Sequence, residues 1–395
     1  MTNSCRHCGQ ILEHSFCDLG MSPLSNAYLT AGQLDQMEPF FPLHARVCSG
    51  CHLVQLPAVE TPENIFSDYA YFSSYSDSWL DHCRRYVDDM IARFSFGPSS
   101  QVVEIASNDG YLLQYFMKRG VPVLGVEPAA NVAKVAQAAG INTVVRFFGE
   151  ATACELRAGG KGADLLLGNN VLAHVPDIND FVKGMKALLN PAGVITMEFP
   201  HLLRLMRENQ FDTIYHEHFS YLSLLTVERV FGTQGLKLFD VEQLPTHGGS
   251  LRIYATHAEN DAQQTSERLR ALRNEERAAG LAQMETYRTF SEQVRRTKRA
   301  LLAFLVAARN EGKSIVGYGA PAKGNTLLNY CGVRTDFIDY TVDRSPHKQG
   351  RYLPGTHIPI SAPERIAETR PDYLLILPWN LKDEIMEQMA HVRSW

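Results

Sequence analysis

The chain has 395 residues, enough for two to four domains at roughly 100–200 residues each. Hydrophobic residues make up 45% and charged residues 21%, so several cores can be buried without disulfides. The 38 basic and 43 acidic side chains leave a net charge of −5, which excludes a global basic field for a nucleic-acid backbone. The start, Met1-Thr2-Asn3-Ser4-Cys5-Arg6, lacks the apolar core of a signal peptide. The longest apolar run, Ala300 to Ala308, falls far short of the ~18 residues of a membrane span. A cytoplasmic protein is expected, with no membrane or nucleic-acid partner.

Cys5-Arg6-His7-Cys8 and Cys48-Ser49-Gly50-Cys51 form two CxxC knuckles. Each tight turn sets two thiolates on one side, and two knuckles supply the four soft ligands of a closed tetrahedral zinc site. Zinc bound by Cys5, Cys8, Cys48 and Cys51 would be structural, coupled to folding of a small module. A redox CxxC would sit in a βαβ context, which is missing here. His7, His14, Cys17, His44 and His52 are spare ligands nearby. The stretch between the knuckles carries strand-like fragments and Pro23, Pro39 and Pro42 with little helical period. It predicts a β-rich, zinc-stapled lobe over residues 1–68.

From Gln101 the pattern changes. Gln101–Ala106 reads as a strand, Ser107-Asn108-Asp109-Gly110 as a turn, and Tyr111–Arg119 as a helix. A second strand, Val121–Val126, ends at Glu127-Pro128, and Ala163–Leu167 runs into Gly168-Asn169-Asn170. Alternating strands and helices predict an α/β fold, a doubly wound parallel sheet over 69–261, with ligands outside the carboxyl ends of its strands. Glu127, 23 residues after Glu104, is placed to accept both ribose hydroxyls of an adenosyl group. The turn keeps only Gly110 of a GxGxxG series and is flanked by Glu104 and Asp109. Such a negative turn repels a pyrophosphate and suits a cation-bearing cofactor, S-adenosylmethionine. The plainer reading is a solvated acidic strand end.

Glu104-Ile105-Ala106-Ser107-Asn108-Asp109-Gly110-Tyr111-Leu112-Leu113 resembles motif I of S-adenosylmethionine-dependent methyltransferases. Gly125-Val126-Glu127-Pro128 resembles their second-strand motif, and Asn169–Asp177 their later strand-end loop. With the cysteine pairs, essentially the whole chain resembles the nucleotide-sugar C-methyltransferases of deoxysugar biosynthesis. The resemblance implies a zinc lobe, a methyltransferase core and a second, Rossmann-like C-terminal domain. Cofactor contacts are then expected at Glu104, Ala106, Asn108, Asp109, Gly110, Glu127, Pro128, Asn169 and Asn170.

Phe211-Asp212-Thr213-Ile214-Tyr215-His216-Glu217-His218-Phe219-Ser220-Tyr221 packs the densest chemistry. It is not the HExxH zinc signature, because two histidines two positions apart do not share a helical face. In extended backbone Tyr215, Glu217 and Phe219 face opposite to His216, His218 and Ser220; a turn relaxes that separation. Methylating carbon needs an acidified C–H, as beside the carbonyl of a nucleotide-linked 4-keto sugar, and a base. His218 has the right pKa range for that base. Glu217 is placed to orient or share the proton, and Tyr215 and His174 to hydrogen-bond the enolate oxygen. The resemblance assigns catalytic duties to the positions matching Tyr215, Glu217, His218 and His174. It adds an N-terminal tyrosine, Tyr69 or Tyr71; that aromatic stretch reads otherwise as a packing hinge. Thr246-His247-Gly248-Gly249 precedes a strand, and a tight hairpin explains it as well as function does.

Residues 262–310 are rich in Glu, Arg, Ala, Leu and Gln without proline, and predict a helical connector with a break near Gly280. Ser314–Gly319 then opens a Rossmann-like unit over 311–395. Gly317, Gly319 and Ala322 satisfy GxGxxG/A, with Asp339 or Asp343 near the distance of a ribose carboxylate, so NAD rivals the nucleotide sugar. Tyr318, Gly319, Lys323, Asn325, Lys348, Arg351 and Trp379 are the candidate substrate contacts, Lys348 and Arg351 for a diphosphate and Trp379 for stacking. The chain stops at Arg393-Ser394-Trp395, where the family continues through a further glycine-rich turn and strand; the tail is expected to be shorter than the family's, or cut. The expected reaction is C-methylation, at C3 by family analogy, in a cleft between domains, by a monomer or small homo-oligomer. Rivals are O- or N-methylation, and a zinc-bearing binding module without catalysis.

Overall fold

The computed structural model describes residues 4–61, 73–75 and 77–395; Tyr69 and Tyr71 lie outside them. By its contacts the chain forms two units. One comprises Met1–Leu12, Cys48–Leu203 and Phe219–Met284, the other Glu13–Val47, Arg204–His218 and Glu285–Trp395. The segment between the cysteine knuckles, read from sequence as part of the 1–68 lobe, therefore counts with the second unit. It is a hairpin of β1 (His14–Ser22) and β2 (Phe41–Val47). Phe16 on β1 is fully buried and stacks flat on Phe290 at 4.6 Å, with Tyr287 edge-on at 6.2 Å. That aromatic burial, and not the cysteines, supplies the hairpin's core.

In the first unit the knuckles are followed by β3 (Val54–Gln55) and α1 (Asp77–Phe94). An alternating run comes next: β4 (Val102–Ile105), α2 (Leu113–Lys118), β5 (Val123–Val126), α3 (Ala130–Ala138), β6 (Thr143–Val144), α4 (Glu150–Ala158), β7 (Ala163–Asn169), α5 (Ile178–Leu188) and β8 (Leu189–Pro200). After α6 (Leu202–Arg207) come β9 (Ser220–Tyr221), α7 (Leu224–Thr233), β10 (Leu236–Leu244), β11 (Ser250–His257) and α8 (Glu267–Ala278). The seven-stranded sheet has the order β10-β11-β8-β7-β4-β5-β6. Strands β4 to β8 pair in parallel and β11 runs antiparallel to β8. All four residues of β4 are buried, as a central strand covered on both faces requires. β5 and β7 flank β4 on opposite sides, so the strand order reverses there and opens a crevice at the strand ends.

Helix α5 shows how these elements are specified. The Asp177 side chain caps it by accepting from the Asn179 and Asp180 N–H groups, and Ile178, Phe181, Val182, Met185 and Leu188 bury one face. The connector's first helix is tied to the core by the buried side chains of Leu269, Leu272 and Glu276. Glu276 on α8 accepts the Leu224 and Leu225 N–H groups at the start of α7 and pairs with His201 at 2.7 Å.

The second unit continues with α9 (Met284–Arg288), α10 (Phe290–Asn310), β12 (Ile315–Tyr318), α11 (Ala322–Cys331), β13 (Thr341–Val342), β14 (Ile360–Ser361), α12 (Arg365–Thr369), β15 (Tyr373–Ile376) and α13 (Lys382–Gln388). Its parallel sheet has the order β14-β13-β12-β15, the half-Rossmann arrangement. Gly280, at φ +85°, breaks the connector.

Candidate active site and metal centre

The Sγ atoms of Cys5, Cys8, Cys48 and Cys51 lie within 4.8 Å of one another. The Cys5–Cys51 and Cys8–Cys48 pairs are 3.5 Å apart, close to the ~3.8 Å edge of a tetrahedron with zinc–sulfur bonds of ~2.3 Å. The hydrogen bond between Cys5 and Cys51 lowers the Cys5 thiol and raises that of Cys51; thiolate is the form zinc takes. Two spare ligands are engaged elsewhere: His7 Nδ1 meets Asn179 Oδ1 at 2.9 Å, and His44 Nε2 meets Ser15 at 2.8 Å. The knuckles also brace the loop before α5. Arg6 donates to the Pro176 carbonyl at 2.7 Å and to the Leu56 carbonyl, and Asn179 donates to the His7 carbonyl at 2.8 Å.

Beyond β4 the backbone turns through Ala106, Asn108 and Gly110, all at positive φ. Gly110 takes φ +81°, the left-handed region that favours glycine, and a Cβ there would push on the tip of the Ile141 side chain. The Asn108 N–H donates to Glu127 Oε2 at 2.9 Å and the Ala129 N–H to Oε1 at 2.8 Å. Pro128 lies between, with no N–H of its own. Burial raises the Glu127 carboxyl above the usual range, against the pull of these two N–H groups. Glu104 lies fully buried with its carboxyl pushed well up, by burial first and then by the nearby Glu127 and Asp109, and neither of its oxygens has a hydrogen-bond partner among the described residues. Asp109 Oδ1 and Asn170 Oδ1 are buried acceptors without a partner among the described residues. These orphaned acceptors and the crowd of carboxylates fit a ligand that carries positive charge and donors, as S-adenosylmethionine does.

Two serines escaped the sequence reading. The Ser73 N–H donates to Asn108 Oδ1, and the Ser74 hydroxyl and N–H donate to Asp109 Oδ2 at 2.6 and 3.2 Å. They pin the acidic turn from the segment read only as aromatic. A second missed group surrounds Glu198 at the end of β8. It accepts from Arg252 at 2.8 Å, His82 at 3.0 Å and Thr246 at 2.8 Å, and is pulled down to about 2 despite its burial. Trp79 lies against His82, Tyr111 and His247. His247 takes φ +54°, so the Thr246–Gly249 turn is strained at a non-glycine residue.

The His-Glu-His segment follows a short 3-10 turn, Phe211–Thr213. A turn closes it: the His218 N–H donates to the Tyr215 carbonyl at 2.9 Å. The alternation of an extended chain is thus lost, and the Tyr215 and His218 rings lie with centroids 4.1 Å apart. His218 Nδ1 is 2.9 Å from the Thr213 carbonyl. A carbonyl only accepts, so Nδ1 carries the hydrogen and Nε2 is the basic nitrogen of the neutral ring. Glu217 Oε1 accepts from Asn26 Nδ2 at 2.6 Å. Burial raises its pKa and Asn26 lowers it. His216 is pinned to β2, 3.3 Å from the Pro42 carbonyl and edge-on to Phe41. Asn26 was not legible in advance, being a small polar residue in a Ser-Pro-rich loop remote in sequence. His174 ends a 3-10 turn, Leu172–His174, after β7 in the first unit.

In the C-terminal fold Gly319 takes φ +87° where a Cβ would meet Pro378 Cδ at 2.6 Å. Several expected substrate contacts are instead engaged within the unit. Lys323 Nζ donates to Asn380 Oδ1 at 2.8 Å and lies 4.4 Å from the Trp379 ring. Trp379 Nε1 donates to Asp212 at 2.7 Å, and burial lifts Asp212 to about 6. Lys348 pairs with Asp343 at 3.4 Å and donates to the Ala320 carbonyl at 3.0 Å. Arg351 stays exposed, with Nε on the His347 carbonyl. Asn325 is 1% exposed with neither side-chain N nor O bonded among the described residues. Tyr318 borders an open cavity of about 450 Å³ with Arg344, Gln349, Glu364 and Gln388.

Three family models match in succession: a zinc binding domain over 5–66, a methyltransferase domain over 79–241, and the C-methyltransferase C-terminal domain over 245–395. The C-methyltransferase NovU of Streptomyces niveus is 38% identical over 388 residues, 98% of this chain and 91% of its own length. The chain belongs to the C-methyltransferase family. This C-methyltransferase is an enzyme that uses S-adenosylmethionine and carries an N-terminal zinc binding domain, in which Cys5, Cys8, Cys48 and Cys51 are grouped so that they could hold the metal. The ubiquinone biosynthesis O-methyltransferase of Azorhizobium caulinodans matches a shorter stretch, 29% identical over 96 residues, 24% of this chain and 38% of its own. Among solved structures, magnesium protoporphyrin IX methyltransferase from Synechocystis PCC 6803 with bound SAH is 14% identical. It covers 45% of this chain and 83% of its own, with a TM-score of 0.37. No helix among the described residues is long and apolar enough to cross a membrane.

Proposed function

We propose that this C-methyltransferase alkylates the carbon beside the keto group of a nucleotide-linked 4-keto-deoxysugar, at C3, by way of an enediolate. The observation that carries the reading is the bond from His218 Nδ1 to the Thr213 carbonyl, which makes Nε2 the basic nitrogen of the neutral ring. His218 removes the proton beside the carbonyl. The Tyr215 phenol, whose ring lies tilted against that of His218, and His174 are donors for the developing enolate oxygen. Such donors contribute roughly 3–4 kcal/mol each when preorganised. Glu217, held by Asn26, supplies the negative charge that favours the imidazolium. Tyr69 or Tyr71 is the remaining catalytic side chain on this reading.

Bound S-adenosylmethionine supplies an electrophilic methyl group. Glu127 would hold its ribose hydroxyls and Glu104 with Asp109 its cationic end, with Ala106, Asn108, Gly110, Pro128, Asn169 and Asn170 as the remaining contacts. Asn325, buried with an unsatisfied amide, supports a substrate contact in the C-terminal fold, together with Tyr318, Gly319, Lys323, Lys348, Arg351 and Trp379. Lys348 and Lys323 would have to exchange their present partners for the nucleotide.

The test is proton exchange in deuterated water, with zinc-loaded protein, a nucleotide-linked 4-keto-6-deoxysugar and no S-adenosylmethionine. Deuterium should enter at one carbon beside the carbonyl and fail to do so with His218→Ala. Methyl transfer without any such exchange, falling instead on a sugar oxygen, would replace this reading with O-methylation.

A further inference from the structure

Glu217 is reached by a chain of side chains that begins at the glycine turn of the C-terminal fold. Ala320 sits in that turn, between Gly319 and Pro321, where α11 starts. Its N–H is held by Asp343 at 2.8 Å. Its carbonyl takes Lys348 Nζ at 3.0 Å and the Tyr28 hydroxyl at 2.6 Å. The same hydroxyl is 3.4 Å from Asn26 Oδ1, and the other end of that amide grips Glu217 at 2.6 Å. A phenol has one hydrogen. Tyr28 can serve the Ala320 carbonyl or the Asn26 carbonyl oxygen, not both, and here the distances give it to Ala320. Whatever shifts Ala320 or draws Lys348 away changes which acceptor Tyr28 serves. A bond to Oδ1 polarises the amide and strengthens its donation to the carboxylate.

We infer that Asn26 and Tyr28 are positioning residues that make the placement of the Glu217 carboxylate depend on the state of the Gly319-Ala320-Pro321 turn. A ligand closing on that turn would thereby set Glu217 before proton removal. The inference rests on the proposed function in two respects, Glu217 acting in the chemistry and the turn meeting the nucleotide's diphosphate.

The experiment uses the full zinc-loaded chain labelled with ¹⁵N-asparagine, the Asn26 side-chain signals being assigned by their loss in Asn26→Ser. Thymidine diphosphate and uridine diphosphate are titrated separately into the wild type and Tyr28→Phe. The expected result is that the diphosphate that binds moves the Asn26 amide signals in the wild type and leaves them still in Tyr28→Phe, which binds it within about 2-fold. With a nucleotide-linked 4-keto-6-deoxysugar, Tyr28→Phe should lower kcat on the order of 10-fold with the KM for S-adenosylmethionine unchanged. Equal movement in both proteins, or bound diphosphate with still Asn26 signals in the wild type, overturns the coupling alone. If neither diphosphate binds the wild type, the nucleotide reading falls and takes the coupling with it. Should Tyr28→Phe fail to fold, the wild-type titration still decides.

Discussion

The backbone N–H of Asn108 meets the Glu127 carboxylate at 2.9 Å, so the turn after β4 and the end of β5 share one polar joint. Ala129 holds the other oxygen. Two N–H donors fix the carboxylate while leaving each oxygen a second lone pair for a ribose hydroxyl. Glu127→Gln keeps the shape but turns an NH₂ toward one of those donors. Affinity for S-adenosylmethionine should fall about 10- to 100-fold, the worth of a charged hydrogen bond, with the thermal melt little changed. Calorimetric titration checks it; unchanged affinity would remove Glu127 from the cofactor site.

The Glu217 carboxyl is buried and raised above its ordinary range, and Asn26 is the group that pulls it back. If ionised Glu217 supports the base, activity rises with pH as Glu217 loses its proton. The acid limb of the kcat profile then carries Glu217 together with His218, which must be neutral to act as base, and lies above pH 4.5. Asn26→Leu removes the donor without adding charge, so the limb should move further up. A profile that drops uniformly without shifting would assign Asn26 a packing role only.

The zinc knuckles do more than staple themselves. Arg6 and His7 hold the loop of Pro176 and Asn179, which continues the chain from Asn169, Asn170 and His174. One zinc per chain is expected, and Cys48→Ser should release it. Loss of the metal should lower the melting temperature and weaken S-adenosylmethionine binding at the same time, because the brace is continuous with the loop proposed to contact the cofactor. Full cofactor affinity in a metal-free, folded protein would confine zinc to its own lobe.

Periodicity and spacing made the parallel core, the four cysteines and the Glu127 strand end legible, because each is written locally: a buried apolar run, a CxxC turn, a carboxylate closing a strand. What stayed illegible depends on contacts across long separations. Asn26 meets Glu217 across 191 residues, and Trp379 meets Asp212 across 167. No local pattern announces such a pair. The β1–β2 hairpin lies within the 5–66 match to the zinc binding domain, yet its contacts count it with the second unit, where Phe16 finds its aromatic partners at Tyr287 and Phe290. Lys323, Lys348 and Trp379 had the right chemistry for a nucleotide, but sequence could not show that neighbours of their own unit already engage them.

Glu198 is 2% exposed and lies between Arg252, His82 and Thr246. These partners hold its carboxyl at about 2 in place of the ordinary 4.5. A depressed carboxyl stabilises the fold while ionised, so its contribution is complete above pH 4.5 and disappears as pH falls toward 2. The difference corresponds to about 3 kcal/mol. Glu198→Gln should cost about that much near pH 7, since it leaves Arg252 buried beside a neutral amide. Below pH 4.5 the gap between wild type and variant should narrow. Denaturant titrations of both proteins from pH 7 down to the lowest pH at which both still fold would trace it. A gap that stayed constant over that range would mean that the cluster stabilises by shape rather than by charge. The zinc site loses its ligands in the same acid range, but it does so in both proteins and cancels from their difference.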